Sequence, residues 1–415
     1  MVVGAGPAGS IAAHDCAKAG LSTLLLEKFK LPRHKPCGGA VMYRGLHILK
    51  GQIPKRVVEQ KIHGLRFLLP NGKSAEFSSK KLIGITVFRN RFDEFLARRA
   101  VSTGAELVEE TRVSSASVHD TYASVTTKDG REYRASIVIG ADGVNSVVAK
   151  SLGLRPKRKN LNRVGLGMES DFYVGEEGVL KATNGNPSIL EISPVDGRVS
   201  YGWVFPKREN LAIGIAGAAA HMYPLRPAFE QFYSKMAKRF DVELTPSRPW
   251  TYFLGADGIT SQNVRERSLL IGDAAGFVDP MMGEGIAYAM KSGVYAARVA
   301  TYALESGRFD SEFLETYQKL CVAEFSGNFQ MAEWAGLRGA SFAELVLSKS
   351  SGYPLSSEIM ARIARGEMGY SDIPYVILKS LPRELPGMIQ HVIRSRINNG
   401  PQKVHRAESG DSSGV

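Results

Sequence analysis

The stretch MVVGAGPAGSIAAHDCAKAGLSTLLLEK, residues 1–28, decides the fold. An apolar start meets a glycine turn, then an Ala-rich helical segment, then a second apolar run. Strand, helix and strand in that order make a βαβ unit, and such units build parallel sheets. Gly4, Gly6 and Gly9 stand in GxGxxG spacing. The first glycine permits a tight turn, the second lets the backbone approach a pyrophosphate, and the third packs helix on strand. The N–H groups of the helix N-terminus then aim at the phosphates. Glu27 ends the second strand, about 20 positions on, where an acidic residue binds ribose hydroxyls. A dinucleotide site follows. Only Met1 to Val3 precede Gly4, which is short for a central strand and predicts a start a few residues upstream or a clipped first strand.

The 415 residues exceed one simple core and predict two or three domains. Hydrophobic content of 44% with 23% charged residues excludes a disordered chain. The longest apolar run, LAIGIAGAAAHMY (211–223), falls short of the roughly 18 to 20 residues of a membrane span. No secretory signal is visible, so a cytoplasmic protein is expected, with peripheral contact to the cytoplasmic membrane face left open. Cys16, Cys37 and Cys321 form no CxxC pair, Cys16 reads as core, and the eight histidines lack metal-ligand spacing. A net charge of +12 favours acidic partners such as lipid headgroups, nucleotide phosphates or an acidic protein. No DNA- or RNA-binding motif accompanies it, so nucleic acid is not expected.

A helix is predicted at NRFDEFLARRAVSTG (90–104), a strand near 106–113, and a strand, turn and buried strand over 122–143. From about Leu154, GVLKAT (178–183), VSYGWVFP (199–206) and NLAIGIAG (210–217) read as strands of an antiparallel sheet. PLRPAFEQFYSKMAKRF (224–240) reads as an amphipathic helix. The α/β pattern returns at RSLLIGDAAG (267–276), with a long helix from Gly285 to Leu304. Helices broken by Pro and Gly continue to Asn398, followed by a polar tail expected to be disordered.

Two further elements resemble nucleotide-site turns. VIGADGVNS puts Asp142 and Gly143 after a buried strand, and LLIGDAAGFVDPMMGEGIAYAMKSG puts Asp273 after another. Asp273 either bonds a sugar-like chain or caps a helix. The helix after Gly285 could stabilise negative charge on a reduced ring. In YGWVFPKREN (201–210), alternation places Tyr201, Trp203 and Phe205 on one face of a strand. Gly202 between them suggests close approach of another backbone or a ligand, and Pro206 ends the strand. The choice lies between core packing and the wall of an apolar slot, and the wall is the reading adopted.

In this order, the glycine turn, the arginine before FDEFL, the DG element and the GD element resemble the flavoproteins related to para-hydroxybenzoate hydroxylase. The resemblance implies FAD in a Rossmann-like domain with a mostly parallel sheet. Gly4, Gly6, Pro7, Ala8, Gly9, Glu27 and Lys28 would hold its AMP half. Arg91 would lie along the cofactor and Val113 beside it. Asp142 and Gly143 would sit near the pyrophosphate side and Asp273 on the ribitol. Gly283, Gly285 and Ile286 would meet the flavin ring, with Cys37 and Gly38 also against the cofactor. KPCGGAV (35–41), GDAAGFVDPMMGEGIAYAMKSG (272–293) and YGWVFP (201–206) resemble the geranylgeranyl reductases, and the second of these looks similar to the archaeal digeranylgeranylglycerophospholipid reductases. Their pattern has a proline three residues before the tyrosine; here Arg198 stands there.

That resemblance implies an FAD-dependent oxidoreductase acting on CH–CH groups, which saturates isoprenoid chains of archaeal membrane lipids. Tyr201, Trp203 and Phe205 would bind the chain by apolar burial, and the faces of Tyr201 and Trp203 would stabilise developing positive charge. The proton source is open between Cys37, Tyr201 and a water. The electron donor is NAD(P)H or reduced ferredoxin, for which KFKLPRHK (28–35) and RPKRKNLNR (155–163) are candidate basic docking stretches. The expected domains are FAD-binding (1–60, 84–153 and 256–304), antiparallel or mixed-sheet substrate-binding (61–83 and 154–255), helical (305–398), and a tail (399–415). A flavin monooxygenase or halogenase of an aromatic substrate, and a non-catalytic prenyl-lipid escort, are the alternatives.

Overall fold

Val2–Val3 forms the centre of a six-stranded sheet, flanked by Leu24–Leu26 on one side and Val138–Gly140 on the other, both parallel to it. Glu106–Val108 extends the sheet beyond Leu24–Leu26. Ser268–Leu270 lies parallel beyond Val138–Gly140, and Val264–Arg265 closes that edge antiparallel. Short apolar strands covered on both faces suit a parallel sheet. Helix Pro7–Lys18 starts on Pro7, whose fixed backbone suits a first helical position. It packs against the long helix Ile286–Ser306, where a β-carbon on Gly293 would sit 2.5 Å from Ala8 O. The description comes from a computed structural model and covers residues 1–69, 71–154, 164–195, 200–336 and 354–379. Met1–Tyr370 forms one compact unit; Ser371–Val415 forms a second, described over its helical residues 371–379.

The other large sheet has seven strands. Trp250–Gly255, Val164–Tyr173, Asn210–Ala218, Ser200–Pro206 and Ile189–Pro194 run antiparallel in that spatial order. Gly64–Leu68 then joins parallel, and Ser74–Ser78 closes the edge. One face packs on helix Leu225–Phe240 through Phe229, Phe232 and Met236. Two three-stranded antiparallel sheets complete the fold, one over Val113–Ala135 and one joining Ala40–Met42, Gly84–Thr86 and Gln60–Ile62. Among the described residues, no helix is long and apolar enough to cross a membrane.

One expected strand is a helix. GVLKAT (178–183) forms the end of helix Gly175–Ala182 and its C-cap Thr183. Glu176 and Glu177 in its first turn complement the helix dipole, and Val179 and Ala182 bury one stripe. Arg198, the basic stretch 155–163, residues 380–398 and the tail 399–415 lie outside the described residues.

Candidate functional site

The glycine turn forms a cradle. Gly4 has φ +105°, and a β-carbon there would sit 2.4 Å from Ala141 O. A β-carbon on Gly9 would sit 1.9 Å from Gly4 O, so helix and strand meet only because Gly9 has none. At Gly6 the nearest atom would be Arg33 Nη2, at 4.0 Å, which leaves the backbone open to a phosphate. Pro7, Ala8 and Gly9 form the buried first turn of the helix below it. Glu27 is buried, with Oε2 accepting from Ala5 N at 3.0 Å and Oε1 from Phe29 N at 3.2 Å. Lys28 lies exposed beside it, lining a surface hollow of about 420 Å³ with Phe29, Lys30, Glu110, Arg112 and Lys128. The open Gly6 backbone and the fixed Glu27 carboxylate fit the AMP half of a dinucleotide.

Asp142 turns its carboxylate onto its own helix, accepting from Ser146 Oγ at 2.5 Å and Val147 N at 2.6 Å. It therefore shapes the turn beside Gly4, whose β-carbon would lie 3.1 Å from Asp142 Cα. Gly143, at φ +83°, has nothing within 4 Å of an added β-carbon. Asp273 sits in the first turn of the short helix Gly272–Ala275, with Oδ1 3.5 Å from a β-carbon placed on Gly285. Gly285 caps the helix that starts at Ile286. Val113 opens its strand with its side chain in the core of the six-stranded sheet.

Arg91, expected along the cofactor, stands on the outer side of its helix. Its side chain is 56% exposed, paired with Glu59 at 3.1 Å and resting over Phe88. Two positions earlier on the same helix, Arg89 points inward and grips buried Asp93 at 2.7 and 2.9 Å. Helical geometry separates the two, since neighbours two apart face different sides. Arg33 also holds Asp93, at 2.6 Å, and lies 3.6 Å from Glu27. Burial works against the charge on Asp93, but Arg89 and then Arg33 hold its carboxyl below the usual range. Reading KFKLPRHK as a docking stretch missed Arg33, the member of that run turned inward beside Gly6 and Glu27. Its signal was the apolar and proline neighbours Leu31 and Pro32.

The aromatic strand faces two loops. Tyr201 donates its hydroxyl to Met282 O at 3.0 Å, and a β-carbon on Gly283, at φ +65°, would sit 2.3 Å from the Tyr201 hydroxyl oxygen. Trp203 is 4% exposed: its indole covers Gly214, and Nε1 lies 2.7 Å from a β-carbon placed on Gly38. No hydrogen-bond partner reaches that Nε1 among the described residues. Phe205 meets the same Gly38 and, half-buried like Met42, Ile192 and Met282, packs against the core around Leu65, Phe67 and Leu190. Cys37 Sγ accepts from Gly39 N at 3.4 Å and lies beside Arg89. Trp203 is thus a packed platform for the Cys37–Gly39 loop, while Tyr201 and Phe205 retain accessible surface. Gly202 has a different cause from the one expected: a β-carbon there would strike the Phe232 ring at 2.2 Å, on the opposite face.

Sequence reading also missed Glu169, Arg44 and Glu284. Glu169 Oε1 accepts the Cys37 amide at 2.5 Å. Arg44 Nε lies 3.6 Å from Glu284, and burial pushes the Glu284 and Asp279 carboxyls upward in the segment 279–284. These contacts join strands and loops far apart in the chain, and no local spacing announces them.

A family model described as the FAD binding domain matches residues 1–327. Digeranylgeranylglycerophospholipid reductase 3 of Methanosphaera stadtmanae is 29% identical over 399 residues, covering 93% of this chain and 96% of that protein. The digeranylgeranylglycerophospholipid reductase of Methanosarcina acetivorans is 31% identical, covering 77% of this chain and 79% of its own. Among solved structures, a geranylgeranyl bacteriochlorophyll reductase-like protein from Thermoplasma acidophilum superposes with a TM-score of 0.76 at 23% identity, over 95% of this chain and 98% of its own. Halogenase PltM in complex with FAD and phloroglucinol gives 0.68 at 19% identity, over 88% and 82%. The open Gly6 turn, the buried Glu27 and the match along residues 1–327 agree on one coenzyme, FAD. This chain belongs to the FAD-binding domain family of flavoprotein oxidoreductases, in the group of the digeranylgeranylglycerophospholipid reductases.

Proposed function

We propose that this protein saturates the C=C bonds of geranylgeranyl chains, most directly those of archaeal ether phospholipids, at the face carrying Tyr201 and Phe205. The observation that carries the reading is the pairing of that face with the Met282–Gly283 turn, through Tyr201 and Met282. An isoprenoid offers no hydrogen bonds, so its affinity comes from apolar burial, at roughly 0.8 kcal/mol per CH₂. Bound FAD, once reduced, supplies the hydride. Gly6, Glu27 and Arg33 would hold the AMP half, and Asp273, Gly283 and Gly285 would meet the ribitol and ring. Trp203 and Gly38 hold the Cys37 loop in place, and Tyr201 and Phe205 orient the chain and exclude water. The names of the relatives support the substrate class.

In this reading the six-stranded sheet with its helices binds the cofactor (1–60, 84–153 and 256–304). The seven-stranded sheet binds the lipid (61–83 and 154–255). NAD(P)H or reduced ferredoxin delivers electrons, and the basic chain rests against anionic headgroups. The test supplies unsaturated archaeol phospholipid and reductant without oxygen, and measures product mass. Each saturated bond adds two hydrogens. Turnover that requires oxygen, or a halogenated or hydroxylated product, would sink the reading in favour of a monooxygenase or halogenase. Lipid bound without FAD or turnover would favour an escort.

A further inference from the structure

The sheet face bearing Tyr201, Trp203 and Phe205 continues onto its neighbours as small residues. Ala212, Gly214 and Ala216 lie opposite the three rings, with Gly167 beyond Ala216. Glu169 interrupts this pattern. It pairs with Gly214, which pairs with Trp203, and on its other side it pairs with Trp250. The indole of Trp203 covers Gly214, and the carboxyl and the ring, in one row across the sheet, both meet the Cys37–Gly38 segment.

Glu169 is 3% exposed, and among the described residues only the Cys37 amide hydrogen-bonds its carboxyl. No ion pair reaches it among them. Asp171, two residues along the same strand, is bonded to buried Lys207, so that cation is already engaged. The surroundings are otherwise named quickly. Lys207 and Lys35 favour ionisation, while Asp171 opposes it. Tyr252 lies half-buried on the adjacent strand with its hydroxyl pushed up by desolvation, and His34 stacks on Trp250 at 4.6 Å. The Cys37 thiol lies beside Arg89, whose charge is spent on Asp93. Burial dominates this balance and pushes the Glu169 carboxyl up to about 7. A group half protonated near neutral pH is matched to proton transfer. Tyr201 is not, because burial pushes its hydroxyl up and Met282 O takes its proton in a hydrogen bond.

Resting on the reductase reading above, we propose that Glu169 is the general acid of the reduction, giving its carboxyl proton to one carbon of the olefin. The π electron pair forms the new C–H bond to that proton. The other carbon receives the hydride, with its electron pair, from the reduced cofactor, which is oxidised by two electrons. Glu169 is left as a carboxylate and regains a proton from water. The Cys37 amide steadies that carboxylate.

The test compares the FAD-loaded enzyme with Glu169→Gln and Glu169→Asp. Each is reduced with dithionite without oxygen and given a digeranylgeranylglycerol phospholipid in detergent. The glutamine keeps an oxygen for the Cys37 amide, so the fold and FAD affinity should hold. Its saturation rate should fall on the order of 10²–10⁴-fold. The wild-type rate should decline as pH rises through about 7. The aspartate should recover part of the rate with a displaced profile. A second readout needs neither substrate nor turnover: infrared difference spectra should show a carboxylic acid band titrating near neutral pH in the wild type and missing from Glu169→Gln. A glutamine variant with the wild-type rate and profile, or a wild type lacking that band, overturns the proposal. If the band titrates but the wild type reduces no olefin, the reductase reading falls, and the acid role falls with it.

Discussion

The hydroxyl of Tyr201 donates to the carbonyl of Met282 at 3.0 Å, which ties the aromatic strand of one sheet to the turn leading into the long helix of the other. Met282 N and Met281 N in turn donate to Asp279 Oδ1, at 2.9 and 2.8 Å. Tyr201→Phe should remove one hydrogen bond, worth about 0.5–1.5 kcal/mol. Because the turn it fixes also presents Gly283 and Gly285, FAD affinity should fall by a similar energy, roughly 2- to 10-fold. Flavin fluorescence titration beside thermal unfolding checks this. A variant that loses stability but no FAD affinity would separate the turn from the cofactor.

Two glycines of one motif should fail in different ways. Gly6 has φ −79°, which alanine adopts, and its β-carbon would have nothing nearer than 4.0 Å. Gly6→Ala should therefore fold, losing roughly 0.5–1 kcal/mol as a helix cap, yet bind FAD at least tenfold more weakly, because the methyl occupies the phosphate approach. Gly9→Ala would place carbon 1.9 Å from Gly4 O and should destabilise the fold itself by about 3 kcal/mol or more. Denaturation curves and flavin content together distinguish the two.

Arg89 and Arg91 offer a similar contrast. Removing Arg89 leaves buried Asp93 with Arg33 alone, and should cost about 3 kcal/mol. Arg91→Ala breaks an exposed pair with Glu59 and should cost under about 1 kcal/mol. If urea midpoints moved equally for both, the inward placement of Arg89 would be wrong.

Stability should also report the ionisation of Glu169. Its folded value, about 7, exceeds the ordinary 4.5, so the folded chain binds this proton more tightly than the unfolded one. Stability contributed by that group is full below pH 4.5 and is lost as pH rises to about 7. The loss is on the order of 3 kcal/mol, from about 1.36 kcal/mol per unit. Glu169→Gln lacks the penalty, so it should match the wild type in mild acid and exceed it above neutral pH. Asp93 behaves oppositely: held low by its arginines, it contributes above its ordinary 3.8, and that contribution is lost as pH falls through its lower folded value. Calorimetric midpoints across pH for wild type and Glu169→Gln should diverge only above about pH 5.

Residues 1–28 carried the parallel sheet, the phosphate turn and Glu27 in plain view, because turn, helix start and strand end are local properties of adjacent residues. The alternation of Tyr201, Trp203 and Phe205 likewise announced a shared face. GVLKAT misled because four apolar or small residues in six fit strand and helix alike, and only packing beneath the sheet chose the helix.

Tertiary structure alone decided what each shared face meets. Trp203 became a buried platform because Gly38 and Gly214, 176 positions apart, carry no β-carbon to strike its ring. Gly202 is required by Phe232, Arg89 rather than Arg91 turned inward, and Glu169 found the Cys37 amide 132 positions away. Periodicity records which side of an element a residue occupies, whereas burial, pairing and a displaced proton affinity belong to contacts between elements that the chain brings together only by folding.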